Sequence, residues 1–115
     1  SSSRDLTAVS GDVAYTGVGF QPTCIIAFVA HAYEATSYLE RASWGFADSA
    51  KSGLCIYSWD AGTKAVNLSL ILIGANDSTN QSAVVASYDA DGFTLTWTKL
   101  GSPTRTASLY FLCLK

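Results

Sequence analysis

The residues of this chain that could do acid–base or nucleophilic chemistry are few and scattered. His31 is the only histidine, and it follows an apolar run without any Gly-x-Ser-x-Gly motif in the chain. A Ser-His-Asp nucleophile needs its histidine beside a hydroxyl group. The pattern therefore favours a structural or interfacial role for His31, and we expect no catalytic residue.

The carboxylates do not form an evident catalytic pair or metal site. Paired carboxylates hydrolyse glycosides in many enzymes, and the acids considered for this role are Glu34, Glu40, Asp48, Asp60, Asp77, Asp89 and Asp91. All of them fall in predicted loops or strand ends, where acids commonly occur. Asp89 and Asp91 resemble the start of a calcium loop, but apolar residues occupy the following positions that should supply oxygen ligands. We therefore expect turn chemistry, no metal and no enzymatic activity.

Cysteines and glycines give no sign of a cofactor. Cys24, Cys55 and Cys113 are far apart, and with His31 they match no recognised zinc spacing. Either they are buried free thiols of a protein folded in a reducing cytoplasm, or one disulfide forms and one thiol stays free. Gly17-Val18-Gly19 is too short to cradle a phosphate, so we expect no cofactor.

Composition excludes two classes of partner. The chain has 115 residues, enough for one core, with 49% hydrophobic and 14% charged residues and a net charge of −2. Typical soluble domains carry about 25% charged residues. No basic cluster is present to bind nucleic acid, and no apolar run approaches the ~20 residues that span a bilayer. Since no initiating Met or signal pattern is present, we expect a trimmed chain or a fragment.

Short β-rich runs separated by turn residues predict an all-β protein. Strands are expected near Val13–Thr16, Thr23–Ala32, Ala42–Ala47, Gly53–Trp59, Val66–Ile73, Ser82–Tyr88, Phe93–Lys99 and Ala107–Leu114. They predict one antiparallel β-sandwich over residues 11–115, a jelly roll of about eight strands, preceded by an N-terminal arm or loose end at residues 1–10. Tyr33 to Arg41 is expected to be a loop or a short helical turn, Gly74 to Ser82 a polar loop, and Asp89 to Gly92 a hairpin turn.

Two glycine-phenylalanine stretches predict the turns that lead into strands. In the first, Gly17 and Gly19 allow a sharp turn, Phe20 folds back under the sandwich, and Pro22 fixes where the next strand begins. In the second, the Gly92-Phe93 pair follows Asp89 and Asp91 and leads into an alternating strand.

Three strands are apolar on both sides, which predicts an interface. These are the runs CIIAFVA, LILI and LYFLCL. A two-layer sandwich has one interior, so a second apolar face needs cover from a long loop, the segment Tyr33 to Arg41, a partner subunit or a host surface. The residues expected at such an interface are Ile25, Ala27, Val29, His31, Tyr110, Leu112 and Leu114. Alternatively, a sugar-stacking platform could form from the aromatic residues Trp44, Trp59, Tyr33, Tyr38 and Tyr57.

Four segments in a fixed order resemble small structural proteins encoded by tailed bacteriophages. They are TGVGFQPTCIIAFVA (residues 16–30), SWGFADS (residues 43–49), SYDADGFTLTWT (residues 87–98) and ASLYFLCL (residues 107–114). The likeness rests on turn and core motifs, including Gly45 and Phe46 of the second segment, and covers nearly the whole chain after Gly11. The sequence departs from the pattern at Thr23, where the family has Lys, and in lacking a Gly-rich C-terminal end.

The resemblance implies a virion component without enzymatic activity, made in the cytoplasm of the bacterial host. A head decoration or cement protein is the expected role. Its expected partners are further copies of itself, as a dimer or trimer, and the major capsid protein or another virion protein. A tail appendage that binds a glycan or receptor, or a lectin-like domain, is the alternative. Nucleic acid and membranes are not expected as partners.

Overall fold

The computed structural model describes residues 2–31, 41–58 and 64–115, and gives the backbone alone for His31, Lys64 and Ala65. The strands are β1 (Ser2–Asp5), β2 (Gly11–Thr16), β3 (Cys24–His31), β4 (Ala42–Ala47), β5 (Gly53–Ser58), β6 (Lys64–Asn67), β7 (Ile71–Asn76), β8 (Thr79–Asp89), β9 (Gly92–Leu100) and β10 (Thr106–Leu114). No helix occurs among these residues. The predicted all-β class is therefore confirmed.

Two antiparallel sheets pack against each other as a sandwich, as the sequence predicted. The first sheet has six strands in the order β1-β10-β3-β4-β5-β6, and the second has four in the order β2-β9-β8-β7. The described part of the chain thus forms ten strands rather than about eight. Most of each sheet is a run of sequential neighbours, β3 to β6 and β7 to β9, while β10 lies between β1 and β3, and β9 lies beside β2. Short connections favour this pairing of consecutive strands.

The core lies between the sheets and draws on both. Strand β9 contributes Phe93, Leu95 and Trp97, which are at most 1% exposed, while Thr94 and Thr96 between them point outward. The alternation read from the sequence is therefore confirmed. From the six-stranded sheet, Ile25 and Leu109 reach the same cluster.

The N-terminal segment is part of the fold, which corrects the expected arm or loose end. Strand β1 pairs with β10, from Ser2 opposite Leu109 to Asp5 opposite Thr106. Leu6 is fully buried, and its carbonyl accepts a hydrogen bond from Gln81 Nε2 at 2.9 Å. The serine-rich composition concealed this role, because β1 is held by backbone pairing with β10, by the bond between Arg4 and Gln81, and by the burial of Leu6 just after the strand.

The segment from Gly74 to Ser82 is also not a loop. Strand β7 continues to Asn76, and β8 begins at Thr79, so a two-residue turn joins them. Asn80 and Gln81 are buried and hydrogen-bonded, which explains how polar residues lie inside a strand pair. The predicted hairpin after Asp89 is confirmed.

One predicted strand is divided in two, and one predicted segment lies almost wholly outside the described residues. The single strand expected at Val66–Ile73 is divided into β6 and β7 by a bend at residues 68–70. The loop or helical turn expected from Tyr33 to Arg41 lies outside the described residues apart from Arg41.

Candidate interaction surface

The outward side of the six-stranded sheet carries two registered rows of apolar side chains. In the first row, Tyr110 pairs with Phe28, Phe28 with Trp44, Trp44 with Ile56, and Ile56 with Val66. Because paired residues in adjacent strands lie side by side, this row crosses five strands, or roughly 20 Å at a strand spacing of ~4.8 Å.

The second row lies two residues along each strand. It joins Leu112, Ile26, Phe46 and Leu54 across β10, β3, β4 and β5. Nine large apolar side chains on this side are 42–60% exposed: Phe28, Trp44, Phe46, Leu54, Ile56, Val66, Tyr110, Leu112 and Leu114. We call these nine residues the apolar face.

A row of small residues borders the apolar face. Ser108 pairs with Ala30, Ala30 with Ala42, and Ala42 with Ser58. Between this row and the aromatic residues of the first row lies a shallow depression of about 140 Å³. Two ridges of large side chains therefore stand beside a trough.

The opposite outer surface, on the four-stranded sheet, is different in chemistry. Thr94 and Thr96 project outward from β9, and their hydroxyl groups donate hydrogen bonds of 2.7 Å to the carboxylates of Asp89 and Asp12. The two apolar rows contain no charged residue. The sandwich thus has one apolar and one largely polar outer surface.

The predicted interface residues divide between the apolar face and the core. Tyr110, Leu112 and Leu114 lie on the apolar face. Ile25, Ala27 and Val29 are at most 3% exposed and belong to the core, and the neighbours Ile26 and Phe28 point outward instead. A shift of one residue reverses every side chain of a strand, and an entirely apolar strand gives no alternation by which to choose. The backbone of His31 pairs with Ala107 at the end of β3.

The run LILI needs no partner subunit to cover its second apolar face. The prediction of an interface is therefore corrected for this one of the three apolar runs. Leu70 to Ile73 are all at most 6% exposed. Leu72 packs with Cys55 and Tyr57 of β5, and its N–H donates to Ser43 Oγ at 3.2 Å. Both sides of β7 are therefore covered within the chain.

The first predicted turn is built as expected around its glycines. Gly17 and Gly19 both have φ of +88°, a conformation that L side chains rarely adopt. Their N–H groups donate to the Asp91 carboxylate, at 3.1 Å from Gly17 and 2.7 Å from Gly19. Pro22 is buried just before β3 begins, and Phe20 lines a cavity without filling it.

The other glycines of the predicted motifs serve close approach rather than turns. Gly45 and Phe46 lie within β4, where a Cβ on Gly45 would be 1.7 Å from the Leu70 carbonyl oxygen. Similarly, a Cβ on Gly92 would be 1.9 Å from the Tyr15 carbonyl oxygen. Gly92 does not have a positive φ, and its role is to admit the neighbouring β2 backbone.

The carboxylates of Asp48 and Asp89 are engaged in local hydrogen bonds. Asp48 Oδ1 accepts from the backbone N–H groups of Ala50 and Ser52. A hydrogen bond from the Ser87 hydroxyl group, and a smaller contribution from the Thr94 hydroxyl group, lower the pKa of Asp89. No group of three or more metal-ligating side chains occurs in the described part of the chain.

Tyrosine and cysteine side chains near one end of the sandwich are half-buried. Burial, with smaller contributions from Cys24, Asp48 and Cys113, raises the pKa of Tyr88 to about 12. The Tyr88 hydroxyl donates to the Asp48 carbonyl oxygen at 2.7 Å. Burial also raises the pKa of Cys113, and all three cysteines are free thiols in the structure.

The cavity at this end has a volume of about 440 Å³ and an aromatic lining. The ring of Tyr15 stacks on Phe93 at 5.2 Å between centroids, and Phe93 meets Phe111 edge-on at 4.9 Å. Its lining contains no acidic, basic or histidine side chain.

The predicted aromatic platform is not assembled by its described members. Trp44 is on the apolar face, whereas Tyr57 packs against Cys55 and Leu72 on the inner side of β5. Tyr33, Tyr38 and Trp59 lie outside the described residues.

Four residues of the apolar face were not predicted from the sequence to lie at an interface: Trp44, Phe46, Leu54 and Ile56. Their signal was present as alternation in ASWGFA and GLCIYS, where large apolar residues recur at every second position. The intervening Gly45 and Cys55 are small or apolar themselves, which made the alternation hard to recognise.

Comparison of the chain with protein-family models, with curated proteins and with solved structures finds no match in any of the three. In the described part of the chain, no helix is long and apolar enough to cross a membrane.

Proposed function

We propose that this protein is a non-enzymatic structural component of a bacteriophage virion that acts by burying its apolar face against a neighbouring subunit. The observation that supports assembly is the pair of apolar rows on the outer side of the six-stranded sheet. The bacteriophage setting rests on the resemblance of the turn and core motifs. Within that setting, a decoration or cement protein on the head is the role we favour.

A contact function follows from the physical cost of leaving this surface in water. Contiguous apolar patches of this kind on soluble proteins mark interaction sites, because water is released when they are covered. Aromatic residues are enriched at the centres of interfaces and charged ones depleted, and the apolar face has Trp44, Phe28 and Phe46 with no charge among them.

The chemistry of the partner follows from the same surface. It must present an uncharged apolar patch of similar extent. Neighbouring copies and the major capsid protein are the partners consistent with a cement role. Placement on the tail instead of the head would use the same contact.

Glycan binding remains the alternative prediction, but the geometry favours a protein contact. Trp44 is surrounded by Phe28, Phe46 and Ile56, and these neighbours provide no hydrogen-bonding side chain for a sugar hydroxyl group. A glycan array in which the chain binds a defined sugar would support the alternative.

The proposal is tested on particles produced from the genome that carries the gene. The protein should be detected in purified particles by immunoblot, and particles made without it should lose DNA at lower temperature. Ile56→Lys, on the apolar face, should abolish incorporation, whereas the control Thr96→Lys, on the polar outer surface, should be incorporated normally. Absence of the protein from purified particles, or normal incorporation of Ile56→Lys, would overturn the proposal.

A further inference from the structure

We propose that the apolar face is covered by a second copy of this chain, in a face-to-face dimer with two-fold symmetry. The inference rests on the proposed function for the premise that the face is buried. It adds the identity of the occupant, the number of copies and the part of the surface at the centre of the contact.

The available area suits a dimer of this kind. Four of the nine side chains are aromatic, and an aromatic side chain buries about 150–250 Å² when fully covered. At their observed exposure of 45–60%, these four alone supply roughly 400 Å². The five aliphatic side chains and the small residues beside them bring the surface towards the ~800 Å² per partner of a standard interface.

The shape of the surface is complementary to itself. The apolar rows are ridges, and the row Ser108–Ala30–Ala42–Ser58 is a trough in the same sheet. A two-fold rotation places a ridge of each copy opposite the trough of the other. The depression of about 140 Å³ beside Phe28, Trp44 and Tyr110 then receives a large side chain from the partner copy.

The position of the largest side chains also favours face-to-face pairing. Strands β3 and β4 are the two central strands of the six-stranded sheet, and they carry Phe28, Trp44 and Phe46. Anchoring residues of protein interfaces cluster at the centre in this way, and Trp is enriched among them. An edge-to-edge trimer would leave these central residues in water.

Charge and polarity do not oppose the pairing of identical copies. The chain has a net charge of −2, but the two apolar rows carry none of it. In a two-fold pair both copies use the same surface, so one contact buries the apolar face of each copy and leaves neither face exposed. The outer surfaces of the dimer are then the two threonine-bearing sheets, which interact well with water.

The test is the mass of the purified chain in solution, measured by sedimentation and light scattering across a hundredfold range of concentration. Wild-type protein should have twice the chain mass of 12.1 kDa. In Ala30→Phe the new side chain fills the trough of its own copy and leaves no room there for the ridge of the partner copy. This substitution should weaken the dimer at least tenfold. The matched control Ala14→Phe places the same side chain on an exposed position of β2 and should leave the dimer unchanged.

Circular dichroism and thermal unfolding establish that both variants are folded. If Ala30→Phe fails to fold, Ile56→Lys against Thr96→Lys gives the same comparison. A wild-type monomer throughout the range, a trimer, or a dimer equally resistant to Ala30→Phe and Ala14→Phe would overturn this inference. The particle experiment decides the proposed function separately, because a monomer that still enters particles refutes the dimer alone.

Discussion

The buried side chain of Gln81 ties β8 to the N-terminal segment, and its replacement by leucine should destabilise the protein strongly. Gln81 is completely buried. Its Nε2 donates to the carbonyl oxygens of Leu6 and Ala8, both at 2.9 Å, and its Oε1 accepts from Arg4 Nε at 3.1 Å. One amide therefore supplies hydrogen bonds to β1 and to the turn that follows it.

The expected loss follows from these three bonds. An ordinary hydrogen bond contributes about 0.5–1.5 kcal/mol, and a buried group left without a partner costs about 1–3 kcal/mol. Leucine is close to glutamine in size, so Gln81→Leu leaves little cavity and restores some apolar burial. The net result should be a loss of roughly 2–4 kcal/mol in the free energy of unfolding. For a domain of this size the melting temperature should fall by roughly 10 °C.

Urea unfolding followed by circular dichroism measures this effect, with Gln21→Leu as the control. Gln21 is exposed and makes one hydrogen bond, from its Nε2 to the Tyr88 carbonyl oxygen at 2.9 Å. The control should change stability by at most about 0.5 kcal/mol. Limited proteolysis should cut Gln81→Leu first within residues 2–10. A Gln81→Leu protein as stable as the control would refute the reasoning that this amide secures the N-terminus.

Three further predictions concern backbone contact, hydrogen bonding and pH. Gly45→Ala should lower stability by more than about 2 kcal/mol in urea unfolding, because the added Cβ meets a backbone oxygen of the other layer; a loss below 0.5 kcal/mol would contradict this. Asp91→Asn should cost roughly 0.5–1.5 kcal/mol, since it removes one acceptor from the turn at Gly19, and stability unchanged within error would count against it. Since the pKa of Tyr88 is raised to about 12, the folded protein keeps the hydroxyl proton of Tyr88 at pH values where the unfolded chain, with a tyrosine pKa of about 10, loses it. Its contribution to stability should be complete below pH ~10 and fall as pH rises towards 12, a slope that Tyr88→Phe should reduce.

Local patterns in the sequence were sufficient for the fold class and for the turns. The alternation of Phe93, Leu95 and Trp97 with threonines identified the inner side of β9, and all three apolar residues are buried. The glycines at 17 and 19 predicted a sharp turn, and both have a positive φ there. In each case the information lies in residues close to one another in the chain.

Features that depend on distant parts of the chain were not predicted. The prediction that Ile25, Ala27 and Val29 of β3 lie at an interface was wrong, because Cys24 to Ala30 is apolar at every position. Only the pairing of β3 with β4 and β10 decides which of its residues face outward. The cover over β7 comes from β5, about 15 residues earlier in the chain. Likewise, Gly45 was interpreted as part of a motif because its contact with Leu70 exists only after the sheets pack.

The choice of side chains on the two outer surfaces shows why the apolar face calls for a partner. Threonine supports strand structure as well as most apolar residues do, and β9 uses Thr94, Thr96 and Thr98 at its outward positions. Strand formation therefore does not account for tryptophan and phenylalanine at the outward positions of β4. The core does not account for them either, because the buried cluster between the sheets includes neither Trp44 nor Phe46. Replacing them with threonine would leave that cluster untouched, so their apolar character serves whatever covers the sheet from outside.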